Sequence, residues 1–271
     1  MKLPSAPASG RIPPLLEFRN VNVYLGSKKV LHSLSITIKE GENIAILGPN
    51  GAGKSSLIKT ILRELYPDAG VPGLVFRIRG RDAWDVFELR STIGIVSNDL
   101  QDSFNREITG REVILSGFFS SVGLFNQVVT ADMHRRADEI LAFLEIEHLK
   151  NRSMMEMSSG ESRRLLIGRA LVHYPKTLLL DEPTNSLDLH ALSMFRQTLR
   201  KIAGSGTGII LVTHNIHDII PEISRVILMK KGRFEKDGDK TEILTDKNLK
   251  SLFGVSVHVK EEGGNYYLTG Y

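Results

Sequence analysis

Cysteine does not occur in the 271-residue chain. Its absence excludes a disulfide framework, a thiolate zinc site and a cysteine nucleophile, and leaves oxygen and histidine as the ligands for any metal. No run reaches the roughly 18 consecutive apolar residues of a membrane-spanning helix, so a role at a membrane requires a second polypeptide. Neither charge sign dominates: 35 Lys and Arg face 31 Asp and Glu, a formal +4. Such a balance suits a polyanionic small ligand, gives weak support for a nucleic-acid groove, and no direct nucleic-acid partner is expected. Residues 1–14 carry four prolines and no apolar core of signal-peptide type. They read as a flexible tail, and the chain is expected to stay in the cytosol. The remainder, with 41% apolar and 24% charged residues over the chain, is the composition of a globular protein with a large core.

Hydrophobic periodicity divides the chain. From Leu15 to Ile38 apolar residues alternate (Leu16, Phe18, Val21, Val23, then Leu34, Ile36, Ile38) around Gly26-Ser27, the pattern of an antiparallel hairpin. Ile44 to Leu47 reads as a short buried strand that enters a glycine-rich loop. Ser55 to Leu65 then places Leu57, Ile58, Ile61, Leu62 and Leu65 on one helical face. Buried strands follow at Thr177 to Leu180, Ile209 to Thr213 and Arg225 to Met229, separated by helical patterns such as Leu189 to Ile202. This alternation predicts a mostly parallel sheet covered by helices. Between about Asn98 and Arg164 the periodicity is helical. Met133, Ala137, Ile140, Leu141 and Leu144 share a face that Thr130 or Asp132 could cap. Gly254 to Tyr271 alternates across Glu261-Glu262-Gly263-Gly264, which predicts a C-terminal hairpin.

Two motifs carry chemistry. Gly48-Pro49-Asn50-Gly51-Ala52-Gly53-Lys54-Ser55, followed by Ser56, fits G-x-x-x-x-G-K-[ST] between a strand and a helix. Glycines let backbone N–H groups approach phosphate oxygens, Lys54 can reach the β and γ phosphates, and Ser55 can ligate Mg²⁺. The helix N-terminus favours the negative charge. Thr177-Leu178-Leu179-Leu180-Asp181-Glu182 is an apolar strand ending in two carboxylates. Asp181 suits Mg²⁺ and Glu182 suits polarisation of the water that attacks a γ-phosphate. A strand ending in Asp-Glu can simply be meeting solvent; paired with the phosphate loop it reads as a nucleotide-hydrolysing site.

With these motifs in place, the chain from Leu15 to about Phe253 resembles the nucleotide-binding domain of ABC ATPases. GPNGAGKSS, the DEPTNSLD string from Asp181 to Asp188, and Val212-Thr213-His214 occur in that family's order. The resemblance implies an α/β P-loop NTPase core with an N-terminal antiparallel β-subdomain and an inserted helical subdomain. The expected division is residues 15–97 and 165–253 for the core, 98–164 for the helical subdomain and 254–271 for the hairpin. It also implies that His214 contacts the γ-phosphate and that Asp188 lies on the loop crossing to a partner subunit. At the position of the family signature LSGGQ stands Met157-Ser158-Ser159-Gly160-Glu161. Ser158-x-x-Glu161 is a capping box in its own right, and the resemblance assigns Ser158 and Gly160 to the ATP of the opposite subunit. Where the family carries a Mg²⁺-sensing glutamine, Ile93-Gly94-Ile95-Val96-Ser97 is followed by Asn98, with Gln101 out of register. The adenine-stacking position falls on Leu25, with Tyr24 beside it.

A nucleotide loop and a signature on opposite edges of one subunit imply a head-to-tail dimer that sandwiches two ATP molecules. The family resemblance also implies a separate transmembrane subunit, with this chain on the cytoplasmic face of the membrane. Arg111 to Phe119 and the ending Leu244 to Val259 look most like ATPases of siderophore, cobalamin and molybdate importers, which implies import of a metal chelate or an oxyanion. The alternative is a soluble ATPase with a regulatory or repair-associated role. The uncharged segment Val113 to Ala131, with Phe118, Phe119, Val122, Leu124 and Phe125, is either subdomain core or a patch that accepts a short helix of the membrane partner.

Overall fold

The computed structural model describes residues 13–104 and 106–270. The tail expected at 1–14 therefore lies outside the described residues except for Pro13 and Pro14.

Strands β1 (Leu16–Leu25) and β2 (Lys28–Ile38) form the expected hairpin, and β4 (Val75–Ile78), whose four residues gave no separate signal, pairs antiparallel with the free edge of β1. The main sheet has six strands in the order β5-β6-β7-β3-β8-β9. These are β3 (Ile44–Leu47), β5 (Ile93–Val96), β6 (Thr177–Asp181), β7 (Gly208–Thr213), β8 (Arg225–Lys230) and β9 (Arg233–Asp239); only β9 runs antiparallel to its neighbour. All four residues of β3 and all six of β7 are buried, as befits central strands covered on both faces. Their side chains alternate between two cores. Ala45, Leu47, Leu178, Leu180, Ile209 and Leu211 face the helical layer and the C-terminal elements. Ile44, Ile46, Leu179, Ile210 and Val212 face the N-terminal sheet and helix α1 (Lys54–Ile61).

Helix α1 is shorter than its apolar pattern suggests. Leu62 ends it, and Leu65 lies beyond it. Arg63 follows with φ 62°, a left-handed turn, its guanidinium 3.8 Å over the Phe76 ring and bonded to the Phe76 carbonyl at 3.2 Å. The tertiary contact with β4 breaks the helix where periodicity alone would continue it.

Helices α2 (Val86–Thr92), α3 (Asn98–Ser103), α4 (Gly110–Ser116), α5 (Ala131–Phe143) and α6 (Ser159–Ala170) follow. Thr130, rather than Asp132, caps α5 by accepting from the Met133 N–H. The expected boundary after Arg164 falls inside α6, which is one continuous helix. Its first turns join the helical layer, while Ala170 packs so tightly on β5 that a Cβ on Gly94 would lie 2.7 Å from the Ala170 carbonyl oxygen. Val113, Ile114 and Leu115 are core, whereas Phe125 and Val128 are 72% and 82% exposed. The uncharged segment is thus core in its first part, with Phe118, Val122 and Leu124 packed against that core, and exposed at Phe125 and Val128. Helix α7 (Leu189–Gly204), the short α8 (Lys240–Ile243) and α9 (Asp246–Phe253) lead to the hairpin β10 (His258–Glu262) and β11 (Asn265–Thr269). Its two-residue turn, Gly263-Gly264, takes positive φ at both positions, as a type I′ turn requires.

No helix among the described residues is long and apolar enough to cross a membrane. Phe195 of α7 is 1% exposed in the helical-layer core, and Phe195→Ala should cost about 3–5 kcal/mol through lost burial and the cavity left behind. Urea unfolding of the two proteins checks this; a cost below about 1 kcal/mol would show that the α7 face is not close-packed.

Candidate active site

The carboxyl ends of β3, β7 and β6, neighbours in the sheet, deliver three loops to one place. After β3 the chain turns sharply at Gly48, where a Cβ would lie 2.2 Å from the Met229 carbonyl oxygen. No other residue fits that approach of loop to β8. Gly53 then takes φ 102° as the cap of α1, with no side-chain cap, so the first N–H groups of the helix are left for an anion. The loop is anchored from outside by the Gly232 N–H, which donates to the Ala52 carbonyl at 2.7 Å.

Lys54 folds back over this loop. Its ammonium donates to the Gly48 and Pro49 carbonyls at 2.7 and 3.1 Å and pairs with Glu182 Oε1 at 3.1 Å. Glu182 Oε2 meets His214 Nδ1 at 2.5 Å. An ionised carboxylate only accepts, so Nδ1 carries the proton and Nε2 is the ring's free nitrogen. Glu182 itself has φ 46°, a left-handed backbone that costs of order 1–3 kcal/mol for a non-glycine residue. Its N–H donates to the Val212 carbonyl at 2.8 Å, which ties the strained residue to β7.

Ser55, Asn98, Asp181 and Glu182 line one wall of a cleft of about 610 Å³. Burial, and then the neighbouring Glu182 charge, push the Asp181 carboxyl up to about 6, against the pull of Lys54. An added cation would relieve this. Hydroxyl, carboxylate and amide oxygens are the donors a hard divalent ion takes. Among the described residues no cluster of three or more His, Cys, Asp or Glu could hold a metal. The donor set therefore fits Mg²⁺ that shares its shell with phosphate oxygens rather than an all-protein cage.

Two residues outside the sequence motifs organise this site. Asp218, 2% exposed, accepts from Thr184 Oγ1 at 2.7 Å and from Thr213 Oγ1. It clasps the loop after Glu182 to the strand that ends in His214. Arg163 of α6 reaches Asn98 Oδ1 at 2.5 Å. A lone Asp four residues after a histidine, or one of two adjacent arginines, carries no sequence signal of such a role.

The family described as ABC transporter matches residues 31–185, more than half of the chain. The chain belongs to the ABC transporter family, as its ATP-binding subunit. Among curated relatives, the uncharacterized ABC transporter ATP-binding protein YlmA of Bacillus subtilis is 30% identical over 94% of this chain and 97% of its own. The hemin import ATP-binding protein HmuV of Rhizobium meliloti is 31% identical over 90% and 93%. Among solved structures, cbiO1 of Clostridium perfringens, part of the ABC transporter complex cbiONQ, superposes with a TM-score of 0.71 at 30% identity, covering 88% of this chain and 94% of its own. The ATP-binding cassette MJ0796, a dimer in a post-hydrolysis state with ADP and phosphate, gives 0.65 at 28% identity over 83% and 98%.

In this ABC transporter subunit the remaining site candidates form a second group. Ser158 caps α6 in a complete capping box with Glu161, which Arg152 holds at 2.8 Å. Ser159 Oγ donates to the Ser186 carbonyl at 3.2 Å, placing the signature turn beside the loop that carries Asp188. Asp188 caps α7 through the Ala191 N–H at 2.8 Å. Gly160 is buried, and a Cβ there would lie 2.7 Å from that of Ala191, so glycine is required by packing within the chain. Ser158, Gly160 and Asp188 do not line the cleft that holds Asp181 and Glu182. Tyr24 and Leu25 are both exposed and both still in β1, with Tyr24 opposite Lys29. The strand has not ended at Tyr24, so the two side chains leave on opposite faces.

Burial raises the Asp218 carboxyl above its ordinary range despite the two threonine bonds. The fold favours its neutral form, so its stabilising contribution is full below the unfolded value near about 3.9 and is lost as pH rises through the folded value. Relative to Asp218→Asn, which cannot titrate, the wild type should therefore lose stability as pH rises from about 4 toward neutrality. Denaturant unfolding of both proteins across that range is the check, and parallel pH profiles would refute it.

Proposed function

We propose that this chain is the Mg-dependent ATPase subunit of a transporter that imports a metal chelate or an oxyanion. On this reading it works as a head-to-tail dimer docked on a separate transmembrane subunit at the cytoplasmic face of the membrane. The observation that carries the ATPase reading is the Lys54–Glu182–His214 chain of contacts beside a cleft lined by Ser55, Asn98 and Asp181. Relatives named for hemin import and cobalt import support import of a metal chelate, and they favour transport over a soluble regulatory or repair role.

The residues divide the work. Backbone N–H groups from Gly53 to Ser56, at the first turn of α1, receive the phosphates, while the Gly48 and Ala52 N–H groups donate to the Thr213 and Pro49 carbonyls and, with Pro49, Asn50 and Gly51, shape the loop. Ser55, Asp181 and Asn98 would hold Mg²⁺, which would supply charge to offset the phosphates. Without nucleotide, Lys54 neutralises Glu182. Phosphate competes for the ammonium and frees the Glu182 carboxylate to orient water and take its proton. His214 Nδ1 holds that carboxylate in place, and Nε2 donates to the γ-phosphate when the ring carries a proton on both nitrogens. Ser158, Gly160 and Asp188 face a second copy of the chain, whose phosphate loop they complete. Closure then excludes all but the attacking water from both sites, and reopening after hydrolysis is what the membrane subunit converts into transport.

Phe118 stacks edge-on against His173 at 5.5 Å, and His173, Gly117 and Val122 line the same cleft as Asn98. On this reading the surface offered to the membrane partner is half-buried Phe119, between cleft-lining Gly117 and Ser120, together with exposed Phe125.

Glu182→Gln should lower ATP turnover by about 10²–10⁴-fold while nucleotide binding persists and a closed dimer accumulates on size exclusion. Retained turnover would remove Glu182 as the base. Isolated from its host in mild detergent, the trapped dimer should carry an integral membrane protein in stoichiometric amount. Recovery of a bare soluble dimer, or of ribosomes or DNA, would end the transport reading and leave the ATPase reading intact. Phe119→Ser with Phe125→Ser should weaken that co-purification without lowering the melting temperature; undiminished capture by a stable double variant would place the docking surface elsewhere.

A further inference from the structure

Arg163 is a cation in a place that gives it little. It is 2% exposed on a helix otherwise packed with Leu165, Leu166 and Ile167. Among the described residues its side chain makes one hydrogen bond, from Nη2 to Asn98 Oδ1, while Nε and Nη1 have no partner. Burial lowers its pKa to about 10, opposed by the charges of Asp102 and Asp181, so it stays protonated at neutral pH. Charges of this kind are costly, and apolar residues of like shape often replace them without loss of stability. Stability therefore does not explain Arg163; its single partner does.

Asn98 is the first residue of α3 and follows β5 at the cleft wall. A guanidinium can only donate, so the amide of Asn98 must turn its oxygen toward Arg163. That oxygen is also the one atom of the side chain able to ligate a hard cation. If a cation in the cleft drew the oxygen away, the guanidinium would lose its one hydrogen bond and keep only the attraction of the Asp102 and Asp181 charges. Arg163 stands on α6, whose N-cap is Ser158.

We propose that Arg163 is a positioning residue that ties Asn98 to α6, so that Mg-ATP in the cleft shifts the helix whose capped end serves the opposite nucleotide. The inference rests on the assignment of Asn98 to the Mg-ATP site made above. One buried contact would then connect the chain's own phosphate site to the one it completes in its partner.

The cysteine-free chain offers a direct test. Met155, 64% exposed and three residues before Ser158, can be replaced as Met155→Cys and labelled with an environment-sensitive fluorophore at a unique thiol. The labelled protein is titrated with Mg-ATP and with ATP in EDTA, alone and carrying Arg163→Met, Arg163→Lys, Asn98→Ala or the Met/Ala pair. The parent should show a Mg-dependent reporter change, and Arg163→Met should shrink the ratio of the two affinities by at least about fivefold. Its melting temperature should hold or rise. Asn98→Ala should do the same, the pair should be no worse than either single variant, and Arg163→Lys should recover part of the response. An unchanged reporter and affinity ratio in Arg163→Met, or losses that multiply in the pair, would overturn the coupling. Should Arg163→Met fail to fold, Asn98→Ala decides, an unchanged response again being fatal. A parent that binds ATP equally with and without Mg²⁺ also ends the inference, whereas one that binds no ATP at all ends the ATPase reading with it.

Discussion

Lys54, Glu182 and His214 share charge across the ends of three adjacent strands, and the rest of the molecule is arranged to keep that chain of contacts intact. The lysine arrives from the loop after β3, the carboxylate from the end of β6 and the imidazole from the end of β7. Leu47 lies opposite Thr213, and Asp181 opposite Val212, in the parallel ladder. A one-residue slip of any of these strands would turn its side chains to the other face and separate the three groups. The continuous apolar runs Ile44–Leu47, Leu178–Leu180 and Ile209–Val212, feeding two cores on opposite faces, hold the register. Asp218 adds a second tie between the same two loops, through Thr184 and Thr213.

What could be read from the sequence was whatever repeats locally. The phosphate loop, the strand ending in Asp181-Glu182, the capping box at Ser158 and the terminal hairpin each occupy a few consecutive residues, and each carries its own physical reason. The parallel core and helical layer followed from buried runs alternating with helical faces. Illegible features depend on residues far apart. Arg63 ends α1 because Phe76, thirteen residues on, supplies a carbonyl and a ring. Strand β4 exists because β1 has a free edge. Arg163 meets Asn98 across 65 positions. The position of Asn98 was visible, but the side chain that engages its oxygen was not, because nothing local marks an arginine that will be buried.

The two groups of site residues also explain the chain's economy. Ser158, Gly160 and Asp188 are each accounted for inside the subunit by a cap or a tight contact, and none lines the cleft beside Lys54 and Glu182. In the proposed dimer a capped helix N-terminus and a phosphate loop on one chain are two half-sites, and a second copy would bring complementary halves together twice. The reading as a dimer thus needs no extra segment, only the repetition of surfaces already built for local reasons.

Glu182 sits in a left-handed backbone conformation that glycine would accept without strain. The most direct way to relax this corner of the fold is therefore to delete the carboxylate proposed to act on the attacking water. Among variants sorted for stability alone, the inactive one would gain the advantage.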